Sequence, residues 1–160
     1  RPSSPGGDCY FDDITINPEK PSFSAYGAAT VAPGTKGVFQ VKFDNESHDF
    51  GGNYDHSGSD YDFEAPYAGT YEFSSKIEGV YVGDFSYLLL MIYKNGSVLK
   101  SNYGTNRTVS SLVGFASVET GPVVLAKGDL ITVQMYPEFQ TSYTLATGAH
   151  QTYFSGRQIS

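Results

Sequence analysis

Aromatic residues separated by turn-forming residues dominate residues 43–73 of this 160-residue chain. Phe and Tyr recur there between runs of Asp, Asn, Gly, Ser and Pro, a pattern typical of short strands joined by turns. Near the end of the stretch, Tyr71 and Phe73 alternate with polar residues, so both rings point to one face of a strand. The stretch therefore predicts antiparallel strands with aromatic side chains on the buried face.

The composition favours an all-β fold. The chain has 13 Tyr and 11 Phe, which favour strands, and 18 Gly and 8 Pro, which supply turns. No segment has a sustained helical periodicity. A chain of this length is large enough to bury the core of one domain. We predict a 22–160 globular domain, preceded by a 1–21 N-terminal arm or linker.

Alternating segments predict about eight to ten strands, which fits a two-sheet jelly-roll sandwich. The dipeptide Asn95-Gly96 predicts a type I′ hairpin turn, because both residues accept positive φ. Residues 44–62 are predicted to form a long loop. The other strand predictions cover residues 23–29, 38–43, 71–82, 85–94, 109–118, 125–136 and 153–159.

Four ordered motifs resemble those of the C1q globular-head family, the C1q/TNF-like jelly roll. The first motif consists of Phe43, Asp49, Tyr54, Phe63, Gly69, Tyr71 and Phe73. The others are the sequences SFSA at residues 22–25, LAKGDLITV at 125–133 and YFSG at 153–156. Ser75 occupies the place of the family's last aromatic residue. The resemblance implies a secreted, homotrimeric domain that recognises ligands.

Charge and hydropathy exclude two classes of partner. The formal net charge is −7 and the ten basic residues are scattered, whereas binding to nucleic acid needs clustered Lys and Arg. The same charge disfavours anionic membranes without a bridging cation. The longest apolar run, YLLLMIY at residues 87–93, is too short to span a membrane. Cys9 lies in the predicted arm, either as a free thiol or in an interchain disulfide.

The run YLLLMIY also predicts an intersubunit contact. A strand that is apolar on both faces must be covered from both sides. C1q-like heads pack as trimers around an apolar axis, so the resemblance implies that the second face meets a neighbouring subunit. The alternative is a central strand under a long loop. The predicted trimer-interface residues are Leu88, Leu89, Leu90 and Ile92.

Two places are candidates for calcium. The loop at residues 49–62 is rich in oxygen ligands, including Asp55 and Asp60, although it lacks the spacing of an EF-hand. A solvated turn is the alternative there. The resemblance implies a second site near the trimer axis, where Asp84 matches one of the family's aspartates and Asn95 replaces another.

Tyrosines in or beside predicted loops are the candidate ligand-binding residues, because a phenol combines a stackable ring with a hydroxyl group. The candidates are Tyr54, Tyr61, Tyr67, Tyr103 and Tyr143. Sequons for N-glycosylation begin at Asn45, Asn95 and Asn106, all in predicted turns. No nucleophile elbow, phosphate-binding loop or zinc-binding pair is present, so an enzyme is not predicted.

Together these features predict a non-enzymatic, trimeric recognition head for protein, glycan or microbial-surface ligands, located outside the cell. Two alternatives remain open. One is the trimerising tip of a bacterial or phage-type fibre on a cell or virion surface. The other is a monomeric, lectin-like carbohydrate-binding sandwich, or a sandwich that acts on carbohydrate.

Overall fold

The computed structural model describes residues 20–27, 37–57, 60–81, 87–104, 113–138 and 143–160. These residues form strands, turns and loops without a helix, so none of them could cross a membrane as a helix. The all-β prediction is confirmed. The strands are β1 (Ser22–Tyr26), β2 (Phe39–Gln40), β3 (Asn45–Phe50), β4 (Phe63–Glu64), β5 (Gly69–Tyr81), β6 (Leu88–Lys94), β7 (Ser97–Gly104), β8 (Val113–Glu119), β9 (Val123–Leu125), β10 (Leu130–Pro137), β11 (Tyr143–Leu145) and β12 (Tyr153–Gln158).

The strands form two antiparallel sheets, as predicted for a jelly roll. In sheet A, the strands β5, β12, β1 and β3 lie side by side in that order. Strand β11 pairs with the end of β5 on the same edge as β12, and β8 and β9 pair with the opposite edge of β5. Sheet B has the order β2-β10-β6-β7, and β4 pairs with the start of β10. Eight of the described strands have five residues or more. The twelve described strands exceed the predicted eight to ten because β2, β4, β9 and β11 are only two or three residues long.

The core between the sheets is built from the aromatic residues of the predicted motifs. The ring of Phe23 stacks on Tyr54 and on Phe63, with ring centroids 5.0 Å apart in each case. Phe154 meets the same ring edge-on, at 4.8 Å. Rings in such offset or edge-on contacts gain about 0.5–1.5 kcal/mol beyond the burial of their area. All five rings of the first motif are buried, as is Phe154.

Gly156 and Ser75 show why small residues occur within this aromatic core. A Cβ on Gly156 would lie 2.7 Å from the Phe23 ring and closer still to Phe73. Only glycine therefore leaves room for both rings. Ser75 points inward at the place of the family's aromatic residue, and its hydroxyl donates to the Tyr153 carbonyl at 2.9 Å. This hydrogen bond satisfies a polar group that would otherwise be costly to bury.

The prediction that the β6 leucines form a trimer interface is wrong for most of the run. Leu88, Leu90 and Ile92 alternate along β6 and are fully buried in the core of their own subunit. Leu89 points to the outer face of sheet B and is half-buried. The outward-facing Met91 is buried as well, and the hydroxyl of Tyr93 lies 3.7 Å from its Sδ. Neighbouring side chains on the same face thus cover the strand.

The hairpin between β6 and β7 has the predicted turn. Asn95 and Gly96 have φ values of 50° and 76°, the positive values that a type I′ turn requires. Lys94 pairs with Ser97 across the turn. The sequence motif therefore fixes both the turn and the register of the two strands next to it.

Strand β3 was missed by the sequence analysis, which predicted a loop for residues 44–62. The strand pairs with β1, with a register shift between Ser24 and Ala25. All of its residues except Phe50 are polar, and most are exposed, so the sequence carries no alternation that would reveal a strand. An edge strand rich in charged residues is a common way to limit pairing with other chains.

The predicted arm lies mostly outside the described residues, as do Cys9, Asp84 and Asn106. The predicted boundary after residue 21 stays a prediction, although β1 begins at Ser22. The last described residues of the arm contact the domain. The Lys20 ammonium donates to the Ile159 carbonyl at 2.6 Å, and the Pro21 carbonyl accepts from the Gln158 amide at 2.9 Å.

Candidate functional site

An open cleft of about 1070 Å³ lies at the loop that joins β3 to β4. The two arms of this loop are held together by backbone contacts. Tyr54 forms an isolated bridge with Phe63, and the Asp55 amide donates to the Asp62 carbonyl at 2.8 Å. The cleft therefore has a backbone frame that is tied directly to the aromatic core.

The cleft is strongly acidic. Its lining includes a lysine, Lys127, and a histidine, His56, whose Nδ1 lies 2.6 Å from Glu46 Oε1. Burial raises the pKa of Asp62, and the charges of Asp60 and Asp55 raise it further. A cleft lined by one sign of charge concentrates counter-ions. The carboxylates that line it are Glu46, Asp49, Asp55, Asp60, Asp62 and Glu64.

The predicted calcium ligands Asp55 and Asp60 both line this cleft, but they are not organised around an ion. The carboxylate of Asp55 accepts hydrogen bonds from the Ser57 amide at 2.7 Å and hydroxyl at 2.9 Å, which lower the pKa of Asp55. Among the described residues, no three Asp, Glu, His or Cys side chains are grouped to hold a metal ion. Calcium binding at Asp55, Asp60 or Asp84 stays a prediction.

Tyr54 is a core residue, so its predicted exposure is wrong. Only 5% of it is exposed, and its hydroxyl donates to the Phe43 carbonyl at 3.2 Å. Burial raises the pKa of the Tyr54 phenol. The bridge to Phe63 turns the ring inward. Asp49 supports this geometry, since its Oδ2 accepts from the Tyr54 amide at 3.0 Å.

The other two tyrosines of this region differ in exposure. Tyr61 is half-buried with φ of 43°, and the Lys42 ammonium lies 5.2 Å from the centroid of its ring. Tyr67 is 57% exposed and lines the cleft, while its carbonyl accepts from the Tyr71 hydroxyl at 2.9 Å. Of the candidates near the cleft, Tyr67 therefore presents the most accessible ring.

A second candidate surface lies on the outer face of sheet B. Leu89 is flanked by its cross-strand neighbours, Tyr136 on β10 and Tyr103 on β7. The ring of Tyr87 packs edge-on against Tyr103 at 5.4 Å and stacks beside Tyr136 at 6.1 Å. We call Tyr87, Leu89, Tyr103 and Tyr136 the tyrosine cluster. Tyr103 is 66% exposed, the highest value among the described tyrosines for which the exposed fraction is given.

A carboxylate anchors the tyrosine cluster. Glu138 Oε2 accepts from the Tyr136 hydroxyl at 2.6 Å and lies 3.5 Å from the Tyr87 hydroxyl. The Glu138 amide also donates to the Tyr87 carbonyl at 3.0 Å. The hydrogen bond to Glu138, with a smaller contribution from burial, raises the pKa of Tyr136 to about 12. These hydrogen bonds and ring contacts hold the rings in place.

The structure places the candidate ligand-binding residues in separate regions. Tyr67 lies at the cleft and Tyr103 in the tyrosine cluster, whereas Tyr143 begins β11 at the edge of sheet A. Only the backbone of Tyr143 is described. Tyr87 and Glu138 were missed because cross-strand pairing cannot be deduced from one strand. The available signal was Tyr136, a half-buried tyrosine at the end of the predicted strand 125–136.

Comparison with known proteins identifies the fold. No family model and no curated protein sequence matches the chain. The globular domain of the zebrafish complement 1qA protein superposes with a TM-score of 0.63 at 20% identity, covering 89% of this chain and 98% of that one. Murine APRIL at pH 5.0 gives 0.62 at 14% identity, with coverages of 88% and 100%. The chain therefore has the C1q/TNF-like jelly-roll fold that its motifs predicted.

Proposed function

We propose that the protein is an extracellular, non-enzymatic recognition head that works as a homotrimer and binds protein, glycan or microbial-surface ligands. The observation that supports this most is the tyrosine cluster, where Tyr103 presents an exposed ring on a rigid sheet. Tyrosine gives large contact areas at low entropic cost, because only two side-chain torsions must be fixed. A homotrimer carries three copies of this surface, which raises its avidity for a multivalent ligand although each single site binds weakly.

Binding is tested with the purified protein on glycan and protein arrays, comparing wild type with Tyr103→Ala. We expect the variant to lose at least about tenfold in affinity, which corresponds to the removal of a central aromatic contact. Val98→Ala is the matched control, because Val98 is exposed on the same strand but lies outside the tyrosine cluster. Equal binding by wild type and Tyr103→Ala would exclude this surface as the binding site.

The outer face of sheet A is a better candidate for the contact between subunits of the homotrimer than strand β6 is. Ser24, Ser155 and Ser74 are cross-strand neighbours on β1, β12 and β5, and all three are half-buried. Tyr26 and Tyr153 form the next row. These small and aromatic side chains form an uncharged centre on the face, with Lys76 and the Glu72–Arg157 ion pair beside it, and such a centre is suited to close packing against another subunit.

The mass of the protein in solution tests this assignment. Size-exclusion chromatography with light scattering should give a trimer, and Ser155→Arg should give a folded monomer. Ser101→Arg, an exposed position on the outer face of sheet B, should remain trimeric. Repeating the run in calcium and then in EDTA tests the predicted metal. A wild-type protein that is monomeric throughout would exclude the trimer.

The acidic cleft supports one alternative, a sandwich that acts on carbohydrate. The raised pKa of Asp62 is the kind of perturbation that occurs in catalytic acids, although repulsion within an acidic cluster also produces it. Glycan turnover that Asp62→Asn abolishes would establish this alternative. Binding without turnover supports the recognition head.

A further inference from the structure

The two sequons in the described part of the chain differ in the freedom of the asparagine side chain. One is Asn45-Glu46-Ser47 and the other is Asn95-Gly96-Ser97. N-glycosylation joins an oligosaccharide to the side-chain amide nitrogen of the asparagine and needs room at the surface. The contacts of each amide therefore show which sequon the folded domain can carry in glycosylated form.

The Asn95 side-chain amide takes part in a hydrogen-bond network through both its nitrogen and its oxygen. Its Nδ2 donates to Asp129 Oδ1 at 2.7 Å, and its Oδ1 accepts from the Leu130 amide at 2.9 Å. The backbone amide of Asn95 also donates to the Leu130 carbonyl at 2.9 Å. A sugar on Nδ2 would have to fit beside Asp129, where the ammonium group of Lys94 is 2.8 Å from the second carboxylate oxygen. A glycan at this position would therefore have to fit beside the Asp129–Lys94 ion pair and would disturb the hydrogen bonds that fix the turn.

The Asn45 amide also donates to a carboxylate, but that carboxylate is the exposed one of its sequence neighbour rather than part of a network between two turns. Asn45 is exposed at the start of β3, so the sequence analysis was wrong to place it in a turn. Its Nδ2 donates to the exposed carboxylate of its neighbour Asp44 at 2.8 Å. Gly27 lies beside this nitrogen and has no side chain; a Cβ there would approach Nδ2 to 2.9 Å. Ser47, which completes the sequon, is also exposed.

We infer that Asn45 is an attachment site for an asparagine-linked oligosaccharide and that Asn95 is a structural residue that carries none. The inference rests on the extracellular location proposed above and not on the ligand. Because Asn45 is the cross-strand partner of Tyr26, the glycan would lie at the border of the face proposed for the trimer. Glycan at Asn45 would lie along β3, which pairs only with β1 among the described strands. It would shield that edge against pairing with other chains. It would also stand beside Glu46 at the acidic cleft.

The test uses the full chain secreted from eukaryotic cells, with Asn106→Gln in every sample so that two sequons remain. Intact mass is measured before and after treatment with an N-glycosidase. We expect one glycan, which Ser47→Ala removes and Ser97→Ala retains. These two serine variants are matched controls, because both serines are exposed and neither change touches an asparagine. Neither substitution should lower the melting temperature.

Two results would overturn the inference. One is secreted, folded protein whose mass shows no glycan on Asn45. The other is a glycan that Ser97→Ala removes, which would place it on Asn95. Either result would leave the trimer mass and the effect of Tyr103→Ala unchanged, so failure here is distinct from failure of the proposed function. Peptide mapping after enzymatic release identifies the modified asparagine directly.

Discussion

The Asn95 side-chain amide and the Asp129 carboxylate, 2.7 Å apart, join the tip of the β6–β7 hairpin to the turn that precedes β10. The same carboxylate accepts from the Lys94 ammonium at 2.8 Å and from the Ala126 amide at 2.7 Å. Two motifs that are separate in the sequence, Asn95-Gly96 and Gly128-Asp129, thus form one structural unit.

The first prediction concerns acid stability. The hydrogen bonds to Asp129, led by that from Lys94, lower its pKa to about 2, from 3.8. Because the pKa is lower in the folded state, the stabilisation is complete above pH 4 and is lost as the pH falls towards 2. Asp129→Asn should therefore lose less stability than wild type over this range.

Urea denaturation at several pH values between 5 and 2 measures the effect. Glu119→Gln is the control, because this carboxylate is exposed on β8 and lies outside the Asp129 network. An Asp129→Asn variant with the acid profile of wild type would show that the network does not govern acid stability.

The second prediction concerns the centre of the core. Phe23→Ala should lower the free energy of unfolding by about 3–5 kcal/mol, because it leaves a cavity among the rings of Tyr54, Phe63 and Phe154. Phe50→Ala, at an exposed ring, should change it by less than about 0.5 kcal/mol. Similar losses in both variants, measured by urea denaturation, would contradict the described core.

The third prediction separates the two faces of β6. Leu90→Asp should prevent folding, because a buried, unpaired carboxylate is among the most destabilising of substitutions, at roughly 4 kcal/mol or more. Leu89→Asp should fold and keep the oligomeric state of wild type. Circular dichroism and light scattering distinguish the outcomes. A folded but monomeric Leu89→Asp would restore β6 as an intersubunit contact.

The fourth prediction concerns alkaline pH. Tyr136 has a pKa of about 12 in the folded protein, raised from 10. Its neutral phenol therefore stabilises the fold below pH 10, and this contribution is lost as the pH rises towards 12. Tyr136→Phe should weaken the dependence of stability on pH in that range and remove a late step from the phenolate absorbance titration. Tyr67→Phe, at an exposed ring, should retain that step.

The sequence predicted the fold well because the core is encoded locally. Two local signals illustrate this: the alternation of apolar and polar residues around Tyr71 and Phe73, and the positive φ angles that Asn95-Gly96 accepts. Each depends on a few neighbouring residues. Strand β3 escaped prediction because an exposed edge strand needs no apolar alternation. The burial of Leu88, Leu90 and Ile92 within their own subunit was also not predicted, since an apolar run does not show which side chains cover each of its faces.

The candidate surfaces were predicted only in part. Tyr103 and Tyr67 were recognisable as tyrosines near turns, and both rings are exposed. Tyr54 has the same local signal, but a bridge to Phe63 turns it into the core. The contact of Tyr87 with Tyr103 and Tyr136 depends on pairing among β6, β7 and β10, which single strands do not specify.

The thirteen-residue strand β5 has a consequence for how the protein folds and opens. It pairs with β12 and β11 along one edge and with β9 and β8 along the other. These partners lie far away in the chain, so β5 is completed only after several long loops have closed. Sheet A should therefore form late and cooperatively, and the central amides of β5 should exchange their hydrogens only when the whole domain unfolds.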